Sequence, residues 1–164
     1  LVGYPVRGLA YVGGAYAEAA AAALKEAGIL YGRTIGVDHG FGLSTNFPMW
    51  TTTCHQNEAA RYARRFLEFP GRPALLSIWG HSYEFGDSGD WSGVEAFCKL
   101  IGGRTDVWYT TNIEFVDYLT AAQKVAVGAD GQLHNRSDMP VWVEDHGKVQ
   151  ELKPESRRES EKQP

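Results

Sequence analysis

The chain has 164 residues, 43% of them hydrophobic and 12% aromatic, enough to bury one compact core and too apolar for a disordered protein. Its formal net charge is −4 and no basic stripe runs through it, so it carries no footprint for nucleic acid. No apolar run approaches the roughly 20 residues of a membrane span; the alanine run 19–23 is short and is bounded by Glu18, Lys25 and Glu26.

The chain begins at Leu1 rather than Met, with no leader before Val2-Gly3-Tyr4-Pro5-Val6, and the expectation is a piece cut from something longer on its amino side. Residues 6–11 are predicted as a short apolar strand, broken by Gly13-Gly14. A helix follows over 16–27, rich in alanine and so high in propensity. Tyr16, Ala20, Ala23, Leu24 and Ala27 form its expected buried stripe, and Gly28 sits where a C-terminal glycine belongs. The next strand is predicted over 29–37. A loop rich in Gly, Ser and Asn runs from 38 to 48, and 50–53 reads as another short strand. The second helix, 57–69, has apolar Ala59, Tyr62, Ala63, Phe66 and Leu67 near helical spacing. Its basic face, Arg61, Arg64 and Arg65, is read as solvated surface.

Pro70-Gly71-Arg72-Pro73 ends that helix and leads into 74–80, where five of the first six residues are apolar. This is the pattern of a strand covered on both faces in a parallel sheet. Gly80 lets the chain turn, and His81 arrives at the strand's carboxyl end, followed by Glu84, Asp87 and Asp90. That edge of α/β sheets and barrels is where chemistry is done. A hydrogen-bonded structural histidine fits the same position equally well. Asp90 is the expected N-cap of a third helix that stops at Gly102-Gly103. A strand over 106–110 and a fourth helix, capped by Thr111 or Asn112 and running to about Val127, complete the alternation. Successive strand–helix units imply parallel strands with right-handed crossovers. After Gly128 the period changes to two: 132–135 and 141–144 read as extended, and Asp145-His146-Gly147 as the turn of a hairpin feeding 148–152. Residues 153–164, polar with two prolines, are expected to be disordered. The expected organisation is 1–128, 129–152 and 153–164.

If the strands are parallel, Tyr11, Asp38, His39, His81, Glu84, Thr111, Asn112 and Glu114 share one edge, which is how barrel enzymes assemble sites. His39, His55 and His81 with Asp38 lack the i, i+4 spacing of a helical metal motif. No GxSxG, GxGxxG or P-loop is present. Cys54 and Cys98 are too far apart for a CxxC site and are either two buried thiols or one disulfide; the compartment stays undecided. Trp50, Trp79, Tyr83, Phe85, Trp91, Trp108 and Tyr109 fall near the same edge, where aromatic rings suit sugars, although aromatics also dominate cores.

Four stretches carry a resemblance: Gly3-Tyr4-Pro5-Val6-Arg7-Gly8-Leu9-Ala10-Tyr11, Thr53-Cys54-His55, Trp79-Gly80-His81-Ser82-Tyr83-Glu84-Phe85 and Trp108-Tyr109-Thr110-Thr111-Asn112-Ile113-Glu114. In this order they resemble the polysaccharide deacetylases, carbohydrate esterase family four with its chitooligosaccharide-deacetylase homology domain. The likeness covers about residues 1–119, and Val141-Trp142-Val143 to Leu152 resembles the tail of one bacterial branch. The resemblance implies an α/β fold: the carboxyl-terminal part of an incomplete (β/α) barrel with parallel strands, plus a C-terminal β-hairpin. It implies metal-assisted hydrolysis of N-acetyl or O-acetyl groups on a glycan, with a divalent metal, usually zinc, an aspartate base and a histidine general acid. Trp79-Gly80-His81 takes the place of the family's leucine-x-histidine type motif. His81 is then the general acid, Trp79 lines the acetyl pocket, and Tyr11, Tyr83, Glu84, Asp38, Trp50 and His55 are the substrate-binding candidates.

Departures from the pattern are equally specific. The family's paired aspartates and its HxxxH histidine pair, which supply base and metal ligands, lie upstream of Leu1 in the family, so no metal ligand is expected in this chain. Val12-Gly13-Gly14 replaces a proline–aromatic–glycine motif and keeps only its final glycine. Arg7 sits too far upstream to serve as that motif's arginine, and Asp38 and Trp50 only lie in the region of the aspartate–tryptophan motif. The chain alone is therefore expected to be inactive. Two alternatives stand beside this reading: a non-catalytic glycan-binding half-barrel that needs an upstream segment or partner, and an unrelated α/β module whose histidine is structural.

Overall fold

A computed structural model describes residues 3–16, 18–71 and 73–155, without the side chains of Asp87 and Ser88. The protein is a mixed α/β chain that divides into two compact units, Leu1–Tyr109 and Thr110–Pro164. In the first unit, β1 (Gly8–Ala10), β2 (Tyr31–Val37) and β3 (Trp50–Thr52) form an all-parallel sheet in the order β1-β2-β3. β4 (Cys54–His55) pairs in parallel with β5 (Ile78–Trp79). Only Thr53 separates β3 from β4. Its N–H donates to the Ser77 carbonyl at 2.7 Å, and its own carbonyl accepts the His39 N–H at 3.2 Å. Residues 50–55 thus run between the end of β2 and the approach to β5.

Three helices flank these strands as expected, and one is new. α1 (Glu18–Glu26) closes with the paired bonds of a Schellman motif, Gly28 N–H to Lys25 and Ile29 N–H to Leu24, so Gly28 takes the role assigned to it. Its expected buried stripe is only partly formed. Tyr16, Ala20 and Leu24 are half-buried, but Ala23 and Ala27 are exposed, because the helix borders a cleft of about 450 Å³ instead of resting on the sheet. α2 (Ala59–Glu68) buries Ala59, Tyr62 and Ala63. Tyr62 joins Phe41 and Cys54 in a core cluster against which Phe66, Phe69, Ala74, Leu76 and Ile78 pack. Arg61, Arg64 and Arg65 are exposed, and Arg61 and Arg65 also cover the Tyr62 ring, 5.2 and 4.9 Å from its centroid. α4 (Ser92–Ile101) starts after Asp90, whose Oδ1 accepts the Ser92 N–H at 2.9 Å, and ends at Gly102.

The strand expected over 74–80 is corrected. Only Ile78 and Trp79 pair as strand, and the segment is half-buried rather than covered on both faces. The ladder has a strand on one side only: β5 pairs with β4 alone among the described residues. A short helix, α3 (Tyr83–Ser88), follows where the sequence suggested a loop. The strand expected over 106–110 does not form. Arg104 clamps Asp106 with bonds of 2.9 and 2.8 Å, and the Tyr109 hydroxyl donates to the Ile101 carbonyl while accepting the Arg104 N–H. Those bonds close a turn that leaves Trp108 and Tyr109 exposed. Cys54 and Cys98 are both free. Cys98 is exposed, whereas Cys54 is buried and its thiol is pushed up to about 11, by burial first and by the charge of Glu58 second.

In the second unit, α5 (Asn112–Ala122) opens on a capping box. Thr111 Oγ1 accepts the Glu114 N–H, and Glu114 accepts the Thr111 N–H at 2.8 Å. The helix ends at Ala122, not near Val127. The Val-Ala-Val run instead becomes β6 (Val125–Val127), antiparallel to β7 (Leu133–Asn135), in keeping with the strand preference of β-branched residues. The hairpin forms as expected: β8 (Val141–Asp145) pairs antiparallel with β9 (Lys148–Leu152). Its two-residue loop, His146 and Gly147, has φ of +47° and +77°, the signature of a type I′ turn. The tail expected to be disordered lies outside the described residues from 156 on; Glu155 is described, its N–H bonded to Asn135 O at 3.0 Å. No helix among the described residues is long and apolar enough to cross a membrane.

Asn135 locks the second unit. It is 1% exposed; its amide nitrogen donates to Met139 O at 2.9 Å and Leu152 O at 2.8 Å, and its oxygen accepts the Ser137 N–H and hydroxyl. All four bonds of the carboxamide are used. Replacing Asn135→Ala takes the carboxamide from Leu152 O and the Ser137 N–H, while the Ser137 hydroxyl and Met139 O keep each other, and is expected to cost about 3 kcal/mol in urea unfolding; a change below about 0.5 kcal/mol would contradict this role. His134 lies between Asp130 and Glu155, and hydrogen bonds to these two carboxylates raise its pKa, Asp130 contributing most. The contribution to stability is whole below the ordinary histidine value of about 6.5 and is lost as pH rises through the raised value. An NMR titration is expected to place the His134 midpoint above about 6.5, and Asp130→Asn is expected to lower it.

Candidate functional site

The site grows from the register of β4 on β5. Cys54 pairs with Ile78 and His55 with Trp79. Cys54 and Ile78 pack into the α2 cluster, so the pleat turns His55 and Trp79 to the opposite face. The His55 ring stands edge-on to the Trp79 indole, centroids 4.6 Å apart, and the His81 ring meets the same indole at 5.9 Å and 90°. Arg33 of β2 approaches that indole too, its guanidinium 6.0 Å from the ring centroid. The Trp79 Nε1–H is buried and meets no acceptor among the described residues. His81 is exposed, and its ring stacks on Tyr83 at 5.0 Å and 15°.

Glu84, in the first turn of α3, completes the group. Its Oε1 lies 3.4 Å from His55 Nε2, and its Oε2 accepts from Gln56 Nε2 at 2.9 Å. The His55 Nδ1 accepts the Asn57 N–H at 3.4 Å, which caps the 3-10 turn Gln56–Glu58 and assigns the ring proton to Nε2, facing Glu84. Gln56 also donates to the His81 carbonyl at 2.9 Å.

His81, Trp79, Tyr83, Glu84 and His55 are thus brought together. Three other candidates sit elsewhere. Tyr11 is half-buried, its hydroxyl donating to Pro48 O at 2.8 Å, and it borders the cleft beside α1, which none of the His81 group lines. Burial, and then Tyr16, raise its pKa. Asp38 is exposed and holds its own loop, accepting the Gly40 N–H at 2.9 Å and the Thr51 hydroxyl at 3.2 Å. Trp50 is 2% exposed, closed into the core against Tyr31 and Phe47. His39 has a left-handed φ of +58°, stacks on Tyr62, and shares a 2.7 Å hydrogen bond with its hydroxyl. Thr111, Asn112 and Glu114 belong to the second unit, where Thr111 and Glu114 form the capping box of α5. Asp90 serves the start of α4, and the Ser92 bonds hold its carboxyl below the usual carboxylate range.

Sequence reasoning passed over Gln56. The signal was present: it follows a strand-ending histidine, just as Gly80 follows Trp79, and so stands at a carboxyl end. Among the described residues no three His, Cys, Asp or Glu side chains converge on one point. Both His55 nitrogens are engaged, so the side chains present do not by themselves fit a zinc centre. No family model, no curated protein and no solved structure matches the chain.

Replacing Glu84→Met removes the acceptor that faces His55 Nε2–H together with the one that faces Gln56. The expected outcome is a change of His55 tautomer or ring orientation in long-range 15N–1H spectra. An unchanged His55 spectrum would show that the pair does not orient the ring.

Proposed function

We propose that the chain is the carboxyl-terminal part of a polysaccharide deacetylase, a metal-dependent hydrolase that removes acetyl groups from an N-acetylated or O-acetylated glycan. In this reading His81 is the general acid. One observation carries it: Trp79 and His81, the residues the resemblance assigns to acetyl pocket and acid, gather with His55 and Glu84 at the carboxyl ends of two adjacent parallel strands. The strand order supports an incomplete (β/α) barrel. β1, β2 and β3 neighbour one another in chain order, and β4 pairs with β5, the next in line. A doubly wound sheet would instead reverse its order at a switch point.

The chemistry follows from what each side chain has left to offer. The His81 ring is exposed and stacks on Tyr83, so its nitrogens are open to hand a proton to a leaving amine. Trp79 supplies an apolar wall beside that ring. Glu84 and His55 are bonded to each other and hold the surroundings of the acid. Zinc and the base are assigned to polypeptide that precedes the matched region in the family, and the glycan is the partner.

A second reading, a non-catalytic glycan-binding half-barrel, is favoured by two exposed aromatic rings, Tyr83 stacked on His81 and Trp91 packed on Phe85. Tyr83 is 61% exposed and Trp91 50%, and such rings stack on sugars.

Acetyl release from a chitooligosaccharide by the protein extended upstream, with zinc, separates the two. The expected result is turnover that His81→Ala lowers by about 10²–10⁴-fold without shifting the thermal midpoint, since the ring is exposed. Turnover unchanged by His81→Ala removes the acid assignment; glycan binding without any turnover selects the second reading.

A further inference from the structure

We propose that Gln56 is a positioning residue that sets the His81 imidazole by holding it from two directions at once. From one direction, Gln56 Nε2 donates to the His81 carbonyl at 2.9 Å and fixes the backbone where β5 ends. From the other, the same nitrogen donates to Glu84 Oε2 at 2.9 Å and holds the first turn of α3. That turn begins at Tyr83, the ring on which His81 stacks. α3 has only six residues and no side-chain cap, so it has little helical stability of its own. Its place depends on tertiary bonds, and Gln56 makes one of them to its first turn.

Gly80 gives independent support. A Cβ built on Gly80 would lie 2.0 Å from Gln56 Oε1 and 2.2 Å from its Cδ. The carboxamide therefore runs through space that only glycine leaves open. This passage accounts for the glycine of Trp79-Gly80-His81, whose φ is not positive. His55 completes the arrangement, because its Nε2 lies 3.4 Å from the other Glu84 oxygen and the carboxylate is held on both sides. The catalytic consequence, though not the positioning itself, rests on the reading of His81 as an acid.

Two variants test this on the full chain. Gln56→Met keeps the side chain's bulk and removes both donors. Gly80→Ala keeps the amide but displaces it. NMR of the His81 ring protons reads the Tyr83 stack directly as an upfield ring-current shift, with far-UV circular dichroism as the control for folding. The expected result is an upfield shift in the parent chain that both variants lose while their circular dichroism is retained. A shift that persists in either folded variant, or is absent from the parent, overturns the proposal. In the upstream-extended protein, kcat is expected to fall about 10²-fold with KM unchanged. If the shift is lost on substitution but the extended parent shows no turnover, the deacetylase reading fails and the positioning role stands. If turnover is present and the shift survives substitution, the reverse holds.

Discussion

The parallel pairing of Cys54–His55 with Ile78–Trp79 is the contact on which the rest of the candidate site depends. It is two residues long, yet its register decides everything that follows it. A slip of β5 by one residue would turn Trp79 toward the α2 cluster and send Ile78 out, leaving His55 without the indole. With the register kept, Gln56 and Gly80 come next on their two strands, side by side, and the carboxamide crosses over the glycine. Gln56 then reaches the His81 carbonyl and Glu84. The polar network is a consequence of strand register, not an independent assembly.

Magnitudes show what holds that register. Each hydrogen bond of the network contributes about 1 kcal/mol net, and its members are partly solvated. The apolar side is stronger. Phe41, Cys54 and Tyr62 are buried, and Phe66, Phe69, Leu76 and Ile78 pack against them; burying one such large apolar side chain fully is worth about 1.5–3 kcal/mol. The core behind the strands therefore fixes β4 and β5, and the bonds in front only orient groups at their ends. Buried threonines serve the same frame. Thr53 Oγ1 accepts the Ser77 N–H at 3.1 Å, and Thr34 Oγ1 donates to Trp50 O at 3.2 Å, so the strands approach without stranding polar groups.

Much of the fold could be read from the residues alone, for local reasons. Gly28, the cap at Thr111 and the His146-Gly147 turn are short-range devices, and each does in the structure what its place in the sequence suggests. The apolar stripe of α2 was legible because its period is long and strong. The misreadings are non-local. The segment 106–110 looks like a strand by composition, but Arg104, Asp106 and Tyr109 close it into a turn through their side chains. The Val125–Val127 run continues a helical pattern until β7 claims it. The apolar segment 74–80 suggested burial on both faces, which would require a packed layer on each side of β5. In the site, His81 and Glu84 were identifiable by their position after a strand, Trp79 and Tyr83 as aromatics near the same edge, and His55 within the resemblance. Tyr11 and Asp38 were named on the strand-end rule and Trp50 as a nearby aromatic, but their side chains turn to Pro48, to a local loop and to the core. Strand ends locate backbones; side-chain direction depends on packing that no short pattern encodes.

The central claim is that one indole, Trp79, stands between the rings of His55 and His81, set there by the β4–β5 register. Nuclear Overhauser contacts from the Trp79 ring protons test it most directly. The account predicts cross-peaks to ring protons of both histidines in the same sample. Cross-peaks to His81 alone, its near neighbour in sequence, with none to His55, would contradict it.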